Sequence, residues 1–175
     1  DRLTNLIDNL LDASRLQAGG LQLNLSTVRL NELAARLAHK FQTQTDQHNI
    51  SVRFPEVFPP IEGDEERLLQ ALSNLISNAI KYSPEGGQIT VSGSVSTHEV
   101  VVTVTDSGAG LPTSELERIF DRFHRASTTA TEQSQGAGLG LYLTRAVIEA
   151  HHGRIWVDSD PGHGSAFHFS LPLEV

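Results

Sequence analysis

Residues 74–83 read NLISNAIKYS, and they decide how the rest of the chain is read. Leu68, Leu72, Leu75, Ile76, Ala79 and Ile80 recur at helical spacing and fill one broad arc. At about 100° per residue, Asn74, Asn78 and Lys81 fall within about 60° of one another beside that arc. Tyr82 lies between them and the apolar side. The helix therefore packs one face on a core and presents two amides, an ammonium and a phenol from its shoulder. Amide oxygens are hard ligands suited to Mg²⁺, which takes few protein oxygens and keeps waters and phosphates. A lysine pairs with phosphate, and a tyrosine ring offers a flat apolar surface to a base. The same amides are equally well used if they hydrogen-bond a neighbouring loop. The helix alone leaves both readings open.

Asp64 stands where an N-cap belongs, and Ser83-Pro84 with Gly86-Gly87 ends the helix. Upstream, Leu3, Leu6, Ile7, Leu10, Leu11, Ala13 and Leu16 make a helical stripe over residues 1–18, stopped by Gly19-Gly20. This stripe has no partner in its own segment and is expected to pair with a helix outside the chain. Short strand pieces are expected over 21–30, then a helix from an Asn31 cap to about His48, a strand over 50–54, and a loop around Pro59-Pro60. Downstream come strands over 88–96 and 99–105 with Thr97-His98 at the hairpin tip, a turn over 107–112 and a short helix over 113–120. Residues 127–138 are small and polar and are expected to be mobile without a ligand. A helix over 139–152 and strands over 154–158 and 165–172 complete the chain. Helices mixed with runs of adjacent strands point to an α+β fold, with helices layered on one face of a mixed sheet.

With 175 residues and a hydrophobic fraction of 38%, the chain suits one compact domain with a short appendage. A formal net charge of −8 argues against a phosphate-backbone binder, so no nucleic-acid partner is expected. The chain has no cysteine, which removes disulfides and thiolate metal sites. No apolar run approaches the roughly 18 residues of a membrane span, and none reads as a signal segment, so no membrane contact is expected. The absence of methionine and the opening in mid-helix are read as the mark of a piece of a longer protein.

Three glycine clusters follow. TDSGAG at 105–110 sets Asp106 at a strand end, where a carboxylate can take the exocyclic amine of a base such as adenine, with Gly108 and Gly110 allowing close backbone approach. GAGLGL at 136–141 opens an apolar helix, whose free N–H groups suit an anion. It follows a polar stretch instead of a first strand, so a dinucleotide fold is a poor match. GHGSAF at 162–167 is a tight turn between strands. Taken singly, each cluster reads more readily as an ordinary turn or hinge.

Taken together, the stretches resemble the ATP-binding catalytic domain of sensor histidine kinases, within the wider family that includes type II topoisomerase, Hsp90-type and MutL ATPases. NLISNAIKYSP looks like the N box, DSGAGLP the G1 box, FDRFHRA at 120–126 the F box, GAGLGL the G2 box and GHGSAF the last glycine turn. The resemblance covers residues 21–175, while residues 1–20 look like the tail of the dimerisation and phosphoacceptor hairpin. It implies a two-layer α/β sandwich of the Bergerat type, with three main helices on one face of a mixed sheet of about five strands. It also implies ATP and Mg²⁺ as ligands. Asn78 would ligate the metal with Asn74 beside it, and Lys81 would approach the phosphates. Tyr82 would pack on the adenine and Asp106 take its amine, with Gly108 and Gly110 forming the adenine-side turn. Arg122 and Arg125 are implied phosphate contacts, and Phe120 and Phe123 would pack the base of a lid. Gly136, Gly138, Leu139 and Gly140 would close that lid on the triphosphate.

In the hydrolysing relatives a glutamate stands one turn before the metal asparagine. Asn74 holds that position here and is a poor base, which favours transfer to a protein acceptor over transfer to water. No histidine sits on a helix ahead of an acidic residue, so the acceptor is expected on a separate dimerisation domain and the chain alone is not expected to phosphorylate itself. His151-His152 before Gly153 reads as a helix end. The implied partners are that phosphoacceptor domain, a response-regulator receiver domain, and a second copy in a full-length homodimer. The implied location is cytoplasmic, under a membrane sensor. An ATPase or serine kinase on the same fold, or a non-catalytic nucleotide-binding module, are the alternatives.

Overall fold

The computed structural model describes residues 2–126 and 138–173. A first helix, α1 (Arg2–Gly19), leads into strand β1 (Ser26–Val28), helix α2 (Leu30–Gln42) and strands β2 (His48–Arg53) and β3 (Ile61–Gly63). Helix α3 (Glu65–Tyr82) is followed by the hairpin of β4 (Gly87–Val95) and β5 (Glu99–Asp106), a 3₁₀ turn at Thr113–Glu115, helix α4 (Gly140–Ala150), and strands β6 (Arg154–Ser159) and β7 (Ser165–Pro172). Five strands form one mixed sheet in the order β2-β4-β5-β7-β6, parallel only between β2 and β4. The strands alternate, as a sheet covered on one face must. Ile89, Val91, Val102, Val104, Phe167 and Phe169 are buried beneath the helices, whereas Thr90, Ser92 and Thr103 between them are only half-buried. Leu33 and Leu37 of α2, Leu72 and Ile76 of α3, and Val147 and Ile148 of α4 complete that core. This is the expected α+β sandwich, three helices on one face of five strands. Among the described residues no helix is long and apolar enough to cross a membrane.

Helix α3 is fixed at its start by polar groups. Asp64 Oδ1 accepts from the Arg67 N–H at 3.1 Å and Oδ2 from the Asn24 N–H at 2.9 Å. The Asp64 N–H itself donates to His151 Nε2 at 2.9 Å, and His151 Nδ1 lies 2.7 Å from the Val147 carbonyl. A carbonyl can only accept, so His151 carries its proton on Nδ1 and receives on Nε2. The end of α4 is thereby tied to the beginning of α3. Burial alone would raise the Asp64 carboxyl, but the Asn24 and Arg67 N–H groups, with the charge of Arg67, hold it below the usual carboxylate value. A depressed folded pKa stabilises above the unfolded value of 3.8 and loses that contribution as pH falls through it. Asp64→Ala is expected to destabilise the fold at pH 7 by about 1–2 kcal/mol. In urea unfolding the gap from the parent should narrow below pH 3.8; an equal gap at both pH values would contradict this account.

Several expectations need correction. Helix α2 does not begin from an Asn31 cap: Arg29 holds the N-cap position with no side-chain bond, and Asn31 lies inside the first turn with Oδ1 buried and unpartnered. Burial of Leu30 in the core, at 1% exposure, sets the start. The helix ends at Gln42 instead of His48, which opens β2 and places Nε2 2.7 Å from the Ser83 carbonyl oxygen. Residues 61–63, given no element between the Pro59-Pro60 loop and the Asp64 cap, pair antiparallel with β1. Only Thr113–Glu115 of the expected 113–120 helix is regular, as a 3₁₀ turn. The expected mobility of 127–137 lies outside the described residues.

The stripe on α1 divides. Leu3, Leu6, Ile7, Leu10 and Leu11 are exposed, whereas Ala13 is buried with Leu139 and Leu143 against Leu16 and Tyr142. Asp12 Oδ2 accepts from Arg67 Nη1 at 2.7 Å, which seats the end of α1 on α3.

Candidate functional site

The site is strung along the exposed shoulder of α3, and each level of the helix meets a different loop. At the C-terminal end, β5 terminates in Asp106, only 3% exposed. Its Oδ1 accepts from the Gly108 N–H at 2.9 Å, while Oδ2 is buried with no partner among the described residues. Burial pushes this carboxyl above its ordinary value, against the lowering influence of the nearby Gly108 and Ser165 backbone N–H groups. A buried carboxylate oxygen without a donor is costly unless something completes it. The unpartnered oxygen is therefore open to a donor from an entering ligand.

The loop after Asp106 is pressed onto the helix end. A Cβ on Gly108 would stand 2.2 Å from the Tyr82 carbonyl oxygen, and one on Gly110 would stand 2.3 Å from that of Asp160. Both glycines thus serve close backbone packing, in addition to any approach of a ligand. The last glycine turn closes the same corner, with the Gly162 N–H donating to the Ala109 carbonyl at 2.7 Å. Tyr82 is half-buried beside Asp106 and Arg125. Burial raises its phenol most, the Asp106 charge adds to the rise, and Arg125 opposes it.

Lys81 and Arg125 form the next level. Burial lowers the Lys81 ammonium, and the nearby Arg125 guanidinium lowers it further. Two cations drawn together on a half-buried shoulder make a seat for an anion. Arg122 takes another course: its guanidinium lies 4.6 Å from the centroid of the Phe123 ring. The two F-box phenylalanines also part company. Phe120 is buried edge-on to Phe167, whereas Phe123 is 54% exposed with φ +61°, so only Phe120 packs inward as expected. The Phe123 N–H donates to the Gly138 carbonyl at 2.9 Å, and Gly138 adopts φ +69° beneath the His124 carbonyl. Gly136 lies outside the described residues.

Asn78 is half-buried one turn before Tyr82. Asn74, a further turn back, meets the start of α4: its Nδ2 donates to Thr144 Oγ1 at 3.0 Å, and its carboxamide lies against Gly140. From Asn74 to Tyr82 is about 12 Å of helix, the length scale of a nucleoside with its phosphates. Leu139, expected at the nucleotide, instead buries its side chain against Ala13 and Leu143. Two polar pairs escaped sequence reading. Glu115 Oε2 and His124 Nε2 form a shielded hydrogen bond that braces the F-box turn, and Thr144 is 2% exposed. A threonine closing the otherwise apolar run GLGLYLT was the available signal for the second.

Residues 63–175 match the family model described as histidine kinase-, DNA gyrase B-, and HSP90-like ATPase. The sensor histidine kinase WalK of Bacillus subtilis is 35% identical over 99% of this chain and 29% of its own length. The adaptive-response sensory kinase SasA of Synechocystis sp. is 38% identical over 98% of this chain and 45% of its own. The chain therefore spans less than half the length of these curated relatives. Among solved structures, full-length ShkA in complex with AMPPNP superposes with a TM-score of 0.84 at 29% identity, covering 98% of this chain and 36% of ShkA. The nucleotide-free catalytic domain of the histidine kinase ThkA gives 0.75 at 28% identity, covering 86% and 98%.

Proposed function

Because the chain belongs to the histidine kinase-, DNA gyrase B- and HSP90-like ATPase family, we propose that it binds Mg-ATP along α3 and hands the γ-phosphoryl to a histidine on a separate dimerisation hairpin. A receiver-domain aspartate of a response regulator is the onward acceptor. The homology to sensor histidine kinases over nearly the whole chain supports this branch of the family, and the ShkA structure was solved with an ATP analogue. The observation that carries the nucleotide reading is the buried, unpartnered Oδ2 of Asp106.

In this reading Asp106 Oδ2 accepts the adenine amine while Tyr82 and the Gly108–Gly110 turn form the base-side wall. Lys81 and Arg125 receive the phosphates, and ligation relieves their mutual repulsion. The donor set fits Mg²⁺: Asn78 offers a neutral hard oxygen, and phosphate oxygens and water complete a shell that this ion prefers. When bound, the ion would neutralise charge developing on the phosphates during transfer. Asn74 is bound by its nitrogen to Thr144 and offers only its oxygen. The exposed Leu3, Leu6, Ile7, Leu10 and Leu11 of α1 support a hairpin mate, and through it a homodimer, beside the domain. Placement on the cytoplasmic side beneath a membrane sensor belongs to the same reading.

The test is calorimetric titration of the chain with Mg-AMPPNP and with the guanine counterpart. Adenine-selective binding is expected; equal binding of both bases would remove Asp106 from recognition. Asn78→Ala should weaken analogue binding in excess Mg²⁺ by about tenfold, roughly 1.4 kcal/mol. It should also abolish the gain that Mg²⁺ gives over EDTA. A variant with that gain intact would place the metal elsewhere.

A further inference from the structure

Asp106 Oδ2 is bare although a serine stands directly opposite it. Asp106 of β5, Ser165 of β7 and Ser159 of β6 follow one another across the sheet, each paired with the next. All three are in step with Val104, Phe167 and Val157, which pack toward the helices. Directly opposed residues have Cβ atoms about 4.5–5.5 Å apart, within reach of a serine hydroxyl. A carboxylate is also the acceptor such a hydroxyl favours, because charge-assisted bonds are roughly twice as strong as neutral ones. Ser165 is buried, so water does not draw its proton away. Among the described residues Oδ2 nevertheless receives no donor.

Proton counting shows where the Ser165 proton goes. Ser159 Oγ meets the Leu111 N–H at 2.7 Å, the Gly164 carbonyl oxygen at 2.9 Å and Ser165 Oγ at 2.8 Å. The carbonyl can only accept, so the one hydroxyl proton of Ser159 is committed to Gly164. The Leu111 N–H can only donate, and it takes one lone pair of Ser159. The other lone pair then accepts from Ser165, the one arrangement that satisfies every contact. Ser165 has no second proton for Asp106. Burial raises the Asp106 carboxyl, and the backbone N–H groups of Gly108 and Ser165 lower it, with no part taken by the Ser165 hydroxyl.

Ser159 is held firmly enough to keep that proton. Leu111 follows the turn after Asp106, and Gly164 ends the last glycine turn, so the Ser159 hydroxyl stitches the two loops together. The Gly162 N–H, donating to the Ala109 carbonyl at 2.7 Å, joins the same pair of loops. Rotation of the Ser159 side chain would break its bonds to both.

We propose that Ser159 is a positioning residue for nucleotide recognition: by taking the Ser165 proton it keeps Oδ2 of Asp106 open to the amine of the base. This rests on the Mg-ATP reading of the site. Without the Ser159 oxygen, the Ser165 side chain turns about its Cα–Cβ bond and donates to Oδ2. An entering base must then displace it.

The experiment is a double-mutant cycle of Ser159→Ala and Ser165→Ala. It is read by calorimetric titration with Mg-AMPPNP and by the ¹³C carboxyl titration of Asp106 without ligand. With Ser165 in place, Ser159→Ala should weaken binding by about tenfold more than it does in the Ser165→Ala background. It should also move the Asp106 titration downward, because a hydroxyl bond favours the charged carboxylate, and no downward move should occur when residue 165 is alanine. If Ser159 served only to tie the loops at Leu111 and Gly164, the loss would be equal in both backgrounds; that result, with the parent binding normally, would overturn this role alone. Should Ser159→Ala fail to fold, Ser165→Ala decides by itself. Its Asp106 titration should stay at the parental position, and a rise would place the Ser165 proton on the carboxylate and overturn the proposal. A parent chain that bound no Mg-AMPPNP would overturn the nucleotide reading and this role with it.

Discussion

Asp106→Asn is expected to weaken Mg-AMPPNP binding on the order of 100-fold while making the unliganded chain more stable. The two effects have one cause. In the parent, Oδ1 is occupied by the Gly108 N–H and Oδ2 is buried without a donor. Asparagine can keep its oxygen toward Gly108 only by turning its amino group into the space of Oδ2. Two amines then face each other when adenine enters, and both are cut off from water. Leaving buried donors unmatched costs about 1–3 kcal/mol for each group, and the sum gives the predicted loss. Without ligand the sign reverses. Burial holds the Asp106 carboxyl above its ordinary value, so the folded state binds its proton more tightly than the unfolded chain. Such a group lowers stability above its folded pKa and relieves the penalty as pH falls through it. A neutral amide replaces that charge penalty with the smaller cost of one buried neutral donor. Thermal unfolding at pH 7 should show the variant melting above the parent, with the difference closing in acid. Nucleotide affinity of the parent should fall as the carboxyl is protonated, beginning above the range of an ordinary aspartate, and the variant should show no such limb. A variant that bound the analogue normally, or that melted below the parent at pH 7, would remove Asp106 from the centre of the site.

The opposed signs also separate what is readable in a sequence from what is not. Asp106 announces itself because a carboxylate followed by alternating glycines at a strand end is a local pattern. Helix α3 was equally readable, since its apolar arc, its Asp64 cap and its Ser83-Pro84 stop all lie within the segment they define. Asn31 misled for the complementary reason. It is a good cap by type, but the burial of Leu30 in the core fixes the start of α2 two residues earlier. Tertiary packing outweighed the local preference. Strand β3 is three residues long, and its partner β1 lies across all of α2 and β2, so nothing in residues 61–63 foretells the pairing.

Within the site the residue types were legible and the reasons for them were not. Leu139 sits in a glycine cluster that looks built for phosphates, yet its side chain serves contact with Ala13. Arg122 and Arg125 are indistinguishable by spacing, but only Arg125 is brought to Lys81 and Tyr82, because the turn at Phe123 points Arg122 onto an exposed ring. Asn74 and Asn78 look like a pair on a helical wheel. Thr144, on a helix whose sequence begins more than 50 residues later, separates their tasks. These are contacts between elements, and periodicity within an element carries no record of them.

Gly108→Ala is expected to destabilise the chain by roughly 2–4 kcal/mol. For a chain of this size that corresponds to a fall in melting temperature of about 5–15 °C. The argument is steric and does not depend on backbone conformation. The new methyl would stand 2.2 Å from the Tyr82 carbonyl oxygen, 2.9 Å from its carbon and 2.9 Å from Asp106 Oδ1. None of these is the far end of a flexible side chain. Relief requires the loop to lift from the end of α3, and lifting it withdraws the Gly108 N–H that holds Asp106 Oδ1. The carboxyl then loses a bond that lowers its pKa, so its titration should move upward while nucleotide affinity falls. Gly162→Ala is the internal comparison. Gly162 has φ +86° but open space where its Cβ would lie, so its penalty is the left-handed backbone alone, about 1–2 kcal/mol. If crowding against Tyr82 sets the cost, Gly108→Ala must exceed Gly162→Ala in urea unfolding and must be the one that shifts Asp106. Equal losses, with Asp106 unmoved in both variants, would mean that the loop yields freely and that its contact with α3 does not shape the base-side wall.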